Sequence, residues 1–179
     1  MHLGAVNYEQ QYQLHDATGA VIWRGTVIYG IPYLVENVGA TAISPGMLVA
    51  PDGPNSTFGR DQNPGTSDPD VNAFRGVIAP ASNTTGILGV AVDPIPATTG
   101  RGLVAGPGSV TTVRCTSAAI AVGTPIVTSG TAGLGLAAGT KSATVPAYGT
   151  VAGQCIKANA QIGSTGLYAA GILVGGFGS

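Results

Sequence analysis

The chain has 179 residues, of which 44% are hydrophobic and only 8% charged; it carries a formal net charge of −1, 29 glycines and 12 prolines. That length suits one domain, or one domain with an arm, and is enough to bury a core without disulfides or metals. The apolar content excludes wholesale disorder, and no apolar run reaches the roughly 18 residues of a membrane helix, the segment "LYAAGILVGG" (167–176) being too short.

The charges are unevenly placed. All eight acidic residues precede residue 94, together with Arg24, Arg60 and Arg75; after Asp93 there are only the bases Arg101, Arg114, Lys141 and Lys157. Four scattered bases make no phosphate-binding groove, so nucleic acid is not an expected partner. Opposite charge on the two portions suits head-to-tail contact between copies.

In chain order, the start "MHLGAVNYEQQYQ" lacks the basic region and apolar run of a secretory signal, and synthesis in the cytoplasm is the expectation. Tyr8, Tyr12, Trp23, Tyr29 and Tyr33 then crowd into the first 33 positions. They read either as core residues or as the anchors of an extended arm, residues 1–38, that docks on a neighbouring subunit or surface, since Tyr and Trp are favoured interface anchors. Within the arm, "AVIWRGTVIYGIPYLVENV" has Val, Ile and aromatic runs cut by Gly25, Gly30 and Pro32, which predicts bent strands rather than helix.

Residues 39–179 form the second expected unit, a β-rich domain. Its first feature is the Asp- and Pro-rich stretch 51–72, predicted as a long surface loop. From Phe74 onward, "RGVIAPAS", "GILGVAVDPI", "GLVAGPG", "SVTTVRCTS", "TPIVTSG", "ATVPAYGTV", "GQCIKA" and "LYAAGILV" alternate with turn residues. That rhythm predicts an all-β antiparallel sandwich or barrel. A repeat is visible as well: "AISPGMLVAPDG" (42–53) aligns with "AIAVGTPIVTSG" (119–130) at an offset of 77. At the same offset Gly76 meets Gly153, and "TTGILGVAV" (84–92) resembles "STGLYAAGILV" (164–174). Two pseudo-repeated β-modules, about 42–93 and 119–176, are therefore expected.

Catalytic and ligand-binding patterns are sparse. His2 and His15 both lie in the arm, Glu9 and Glu36 are the only glutamates, and there is no G-x-S-x-G elbow. Cys115 and Cys155 have no C-x-x-C partner and read as small buried residues, with a single bridge as the lesser alternative. "GLGLAAG" (133–139) misses the dinucleotide fingerprint by one residue and "GPGSVTT" (106–112) lacks the phosphate-loop lysine. Neither an enzyme nor a cofactor or metal site is expected.

The succession "AISPGMLVAPDG", "GILGVAVDPI", "RGLVAGPGSVTTVRCTSAAIAVGTPIVTSGTAG" and "YAAGILVGG", spanning about 42–176, resembles the small head decoration, or cement, proteins of tailed bacteriophages. The resemblance implies a β-rich structural virion protein on the outside of an icosahedral capsid. There it would bind the major capsid protein, commonly as a homotrimer at local threefold positions, and stabilise the shell against internal DNA pressure. A surface of Gly, Ala, Ser and Thr agrees with that role, because covering it costs little side-chain entropy. The alternative is a phage fibre or adhesin-type binding module contacting a host glycan or receptor through residues 51–72.

Overall fold

The computed structural model describes residues 9–15, 21–28, 30–52, 74–80, 86–116, 119–138, 151–162 and 168–175. Tyr8, Tyr29 and most of the Asp- and Pro-rich stretch lie outside them. The described residues form twelve strands and no helix: β1 (Glu9–His15), β2 (Val21–Ile28), β3 (Pro32–Asn37), β4 (Leu48–Pro51), β5 (Phe74–Ile78), β6 (Gly89–Ala91), β7 (Gly100–Ala105), β8 (Val110–Cys115), β9 (Pro125–Thr128), β10 (Gly135–Ala137), β11 (Val151–Gln161) and β12 (Tyr168–Val174). Short Val- and Ile-rich runs ended by Gly, Pro and Ser favour this outcome, since each turn residue stops a strand before helical hydrogen bonding can begin.

The strands close into two five-stranded barrels. The first runs around as β3-β5-β4-β6-β7 and back to β3, the second as β8-β10-β9-β11-β12 and back to β8. Each contains one parallel pair, β3 with β5 and β8 with β10, and four antiparallel ones. Closure removes the unpaired edges that a flat five-stranded sheet would expose.

The registers correspond residue by residue. Asn37 pairs with Gly76 and Pro51 with Gly76 in the first barrel, as Cys115 and Thr128 pair with Gly135 in the second. Val49 faces Gly89 as Ile126 faces Gly153, and Pro32 faces Ala105 as Val110 faces Leu173. The interiors match too. Val35, Ile43, Val49, Leu88, Ala91 and Val104 fill the first barrel; Val113, Ile120, Ile126, Ala152, Cys155 and Ile172 occupy the equivalent places in the second. Leucine gives way to alanine at one position while three others gain volume, which keeps the filling of a small barrel nearly constant.

The sequence repeat was read correctly at β4 and β9, where the offset of 77 superimposes Leu48 on Pro125 and Gly46 on Gly123. Both glycines have positive φ, 83° and 87°, the left-handed backbone that glycine adopts without steric cost. Both donate their N–H at 2.8 Å, to the Ala91 and Cys155 carbonyls respectively. The later pieces were misaligned. Gly153 corresponds to Gly89 rather than Gly76, and "TTGILGVAV" corresponds to β11 rather than β12, because segment 52–73 joins β4 to β5 whereas only 129–134 joins β9 to β10.

The interior of the first barrel is a buried cluster of its own, and a second cluster joins the two barrels. Leu48, Ala50, Ala79, Ile87 and Val90 of the first belong to the same buried cluster as the interior of the second. Hydrogen bonds of 2.8 Å cross the junction from Leu48 N–H to the Gly133 carbonyl, from Gly133 N–H to the Ala79 carbonyl, and from Arg114 N–H to the Gly46 carbonyl. Arg114 Nε also donates to the Pro45 carbonyl at 2.8 Å, and partial burial holds its pKa below the ordinary value. At the positions equivalent to Leu48 and Val90 the second barrel has exposed Pro125 and Gln154, so these two outward positions carry large aliphatic side chains only in the barrel where they are covered.

Candidate contact surface at the root of the arm

Strands β1 and β2 form a hairpin outside both barrels. It pairs from Glu9↔Ile28 to Leu14↔Trp23 and ends at His15↔Val21, with the extra residue, Ile22, carried by β2. The one register pair that ties it to a barrel is Ile28↔Val110. Just beyond that pair the chain crosses the link between the barrels. Gly30 N–H donates to Ser109 Oγ at 2.9 Å, Ile31 N–H donates to the Pro107 carbonyl at 3.2 Å, and Gly106 N–H donates to the Ile31 carbonyl at 2.9 Å. A Cβ on Gly30 would stand 2.5 Å from the Pro107 carbonyl oxygen and the Gly108 carbonyl carbon, so the two chain segments can approach this closely only with glycine here. Gly108 N–H reaches the Val174 carbonyl at 3.0 Å, and Ser109, which is fully buried, completes the knot.

Around this knot the surface is apolar. Ile28 (40% exposed), Ile31 (48%) and Leu34 (39%) follow one another along the chain, and Leu173 (39%) joins them through the register Ile28–Val110–Leu173. Register partners share a face of the sheet, so Ile28, Val110 and Leu173 form a row on the outside. Isolated exposed apolar residues need no explanation, but adjacent ones mark surfaces that become covered.

The aromatic residues proposed as anchors separate into groups. Tyr12 and Trp23 fall within β1 and β2, and Tyr8 and Tyr29 lie outside the described residues. Tyr33 belongs to β3, a stave of the first barrel, where it is partly buried against the interior cluster; burial raises its phenol pKa. The aliphatic row Ile28, Ile31, Leu34 and Leu173 was missed in the sequence. The alternation of β3 accounts for Leu34 alone, and only the β12–β8–β2 register puts Leu173 in one row with Ile28, across Val110.

Elsewhere among the described residues Val122 (65%), Ile156 (41%) and Leu136 (37%) are the other large apolar side chains left exposed. Between residues 119 and 138 every exposed side chain is uncharged, and Ala119, Ala121, Gly123, Gly130, Thr131 and Ala132 are all small. Among the described residues no three His, Cys, Asp or Glu side chains cluster as metal ligands would. Cys115 and Cys155 are unbridged and buried. One described ion pair stands on the first barrel, Arg101 to Glu36, with Nε at 2.9 Å and the terminal nitrogen at 2.7 Å from Glu36 Oε2. These two residues are also register partners across β3 and β7.

The sequence matches no protein-family profile and no curated protein. Among solved structures it is similar to the crystal structure of the head fiber gp8.5 N base in bacteriophage phi29, at 15% identity and a TM-score of 0.45, over 79% of this chain and 94% of that one.

Proposed function

We propose that the protein is a structural component of a tailed-phage virion that binds the outside of an icosahedral capsid and stabilises the shell, with the major capsid protein and further copies of itself as partners. The observation that carries this reading is the exterior: exposed apolar residues at the arm root, and on the second barrel a stretch, 119–138, without a charged side chain. Small side chains lose little entropy when covered, and many modest contacts repeated over a lattice add by avidity. The motifs that resemble head decoration proteins supply the staves β4, β6, β7, β8, β9 and β12, and of the exposed apolar residues at the arm root Leu173 lies within that span. Three copies around a local threefold position is the arrangement that the resemblance implies.

Deletion of residues 1–27 leaves β3 in place and separates the roles of arm and barrels. Because the truncation keeps Ile31, Leu34 and Leu173, its companion is Ile31→Ser/Leu173→Ser in the full-length chain; both variants should lose co-sedimentation with expanded empty shells while retaining β-sheet circular dichroism. Full decoration by the truncated protein would overturn the assignment of attachment to the arm. Binding to host cells that disappears on deletion of 53–72, with shell binding absent throughout, would replace the capsid reading by the adhesin one.

A further inference from the structure

Strand β1 is paired on one side only among the described residues: β2 occupies that side, and the sheet order begins at β1. Natural edge strands are usually blunted by lysine, proline, bulges or brevity. β1 has none of these, being seven residues long without Lys or Pro, and the single irregularity of the hairpin lies in β2, which leaves β1 regular from end to end. The hairpin is also poorly supported, since it reaches roughly 20 Å from the Ile28↔Val110 tether at about 3.3 Å per residue, and a two-stranded ribbon is marginal in water without a third strand.

We infer that β1 pairs with β1 of a second copy, antiparallel across a twofold axis at Tyr12, to make a continuous sheet β2-β1-β1-β2. The sequence "EQQYQLH" fixes that register. Centring on Tyr12 sets Glu9 of each copy opposite His15 of the other, Gln10 opposite Leu14, and Gln11 opposite Gln13. Acidic and basic partners then meet at both ends of the ladder and amides meet amides near its centre, the cross-strand combinations that favour pairing. A parallel arrangement in register would instead set Glu9 opposite Glu9, with like charges together.

The geometry of the ribbon agrees. Glu9 pairs with Ile28 at the root, and His15 lies at the far end; antiparallel pairing therefore puts the two barrel bodies at opposite ends of the sheet. Each far end arrives at the other copy's root, where Ile28 and Ile31 are exposed. The contact stands on the edge and its register, independently of the shell-binding reading. On a lattice it would join one threefold cluster to the next.

Light scattering on the full-length protein tests it. The pair Gln11→Lys/Gln13→Lys sets lysine opposite lysine on both sides of the axis and should halve the particle mass, with circular dichroism and thermal midpoint of the barrels unchanged. Glu9→Lys alone should weaken association several-fold, and Glu9→Lys/His15→Glu should restore it. An unchanged mass in the lysine pair, a wild-type protein that is already monomeric at micromolar concentration, or a failure of the charge swap to restore association would each overturn the inference. Loss of shell binding in the lysine pair without a change of mass would instead assign this edge to the capsid, and the twofold contact would fall.

Discussion

At the residue scale, the two barrel interiors differ most in the polar atoms they hold. In the first barrel Asn37 is fully buried and fully employed: its side-chain amide donates to the Thr41 and Pro96 carbonyls at 2.9 and 3.1 Å, while its oxygen accepts from Gly39 N–H at 3.0 Å. Its counterpart in the second barrel, Cys115, has no such network. Four positions earlier in β8, Thr111 Oγ1 is buried without a hydrogen-bond partner among the described residues. A buried hydroxyl that lacks a partner carries its desolvation cost uncompensated. Thr111→Val keeps the shape and removes the oxygen, so it should raise unfolding stability by about 1 kcal/mol, read as an increase in the denaturant midpoint at unchanged slope. Cys115 makes a second prediction. Burial, then the neighbouring Cys155, pushes its thiol from about 9 up to about 12, against a weaker opposing backbone hydrogen bond. The unfolded chain releases this proton near pH 9 and the folded chain retains it, so the unfolded state binds fewer protons across that interval and stability falls as pH rises. One group contributes about 1.4 kcal/mol per pH unit there, and burial of Cys155 acts in the same direction. Denaturation midpoints measured from pH 8 to 11 should decline, and Cys115→Ala should flatten the decline while lowering the midpoint at pH 7.

At the element scale, closure of each barrel depends on a glycine where β6 or β11 crosses its neighbour. A Cβ on Gly89 would strike the Ala105 carbonyl oxygen, and one on Gly153 the Leu173 carbonyl oxygen. The obstructing atoms are backbone, at equivalent places in the two modules, and cannot swing aside as a side-chain end would. Gly89→Ala and Gly153→Ala should therefore each destabilise the fold by about 1–3 kcal/mol, measured by chemical denaturation, and the two costs should be similar. These positions also show what the sequence could and could not express. Strand existence was legible because Val- and Ile-rich runs end at Gly and Pro, and the module at 42–53 and 119–130 was legible because no insertion interrupts it. Strand β10 was not: "GLGLAAG" lacks β-branched residues and reads as a turn, yet Gly135, Leu136 and Ala137 pair with β9, because the barrel needs a stave there and tertiary pairing overrides weak local preference. The correspondence of Gly89 with Gly153 was hidden by the unequal connections after β4 and β9. At the contact surface, β2 and β3 were legible as strand broken by bends, whereas β1, with its polar "EQQYQLH", was not, and the aliphatic row depends on residues distant in sequence that only the register brings together.

At the scale of the whole molecule, two modules of like topology could behave as beads on a string, or they could fold as one unit. The shared cluster decides between these. Leu48 is fully buried although it lies on β4 of the first barrel, and it belongs to the same buried cluster as Ile126, Ile172 and Val174 of the second. Its backbone N–H is meanwhile bonded to Gly133 of the second barrel. Separating the modules would expose Leu48, Ala50 and Val90, each fully buried, and would strand the Gly133 and Arg114 hydrogen bonds. At about 25 cal/mol per Å² of apolar surface, that exposure is a large fraction of the 5–15 kcal/mol that stabilises a typical domain. The chain should accordingly unfold in a single calorimetric transition, with calorimetric and van't Hoff enthalpies equal. Leu48→Ala should lower that transition by about 2–5 kcal/mol without splitting it, because the cavity opens in a cluster that both barrels use. Two resolved transitions in the wild-type protein, or a variant in which only one half loses its hydrogen-exchange protection, would mean that the barrels are energetically separate and that a shell-bound copy could flex between them. A single transition makes the pair of barrels one stiff body, so that load received at the arm root passes into both closed sheets rather than into a hinge.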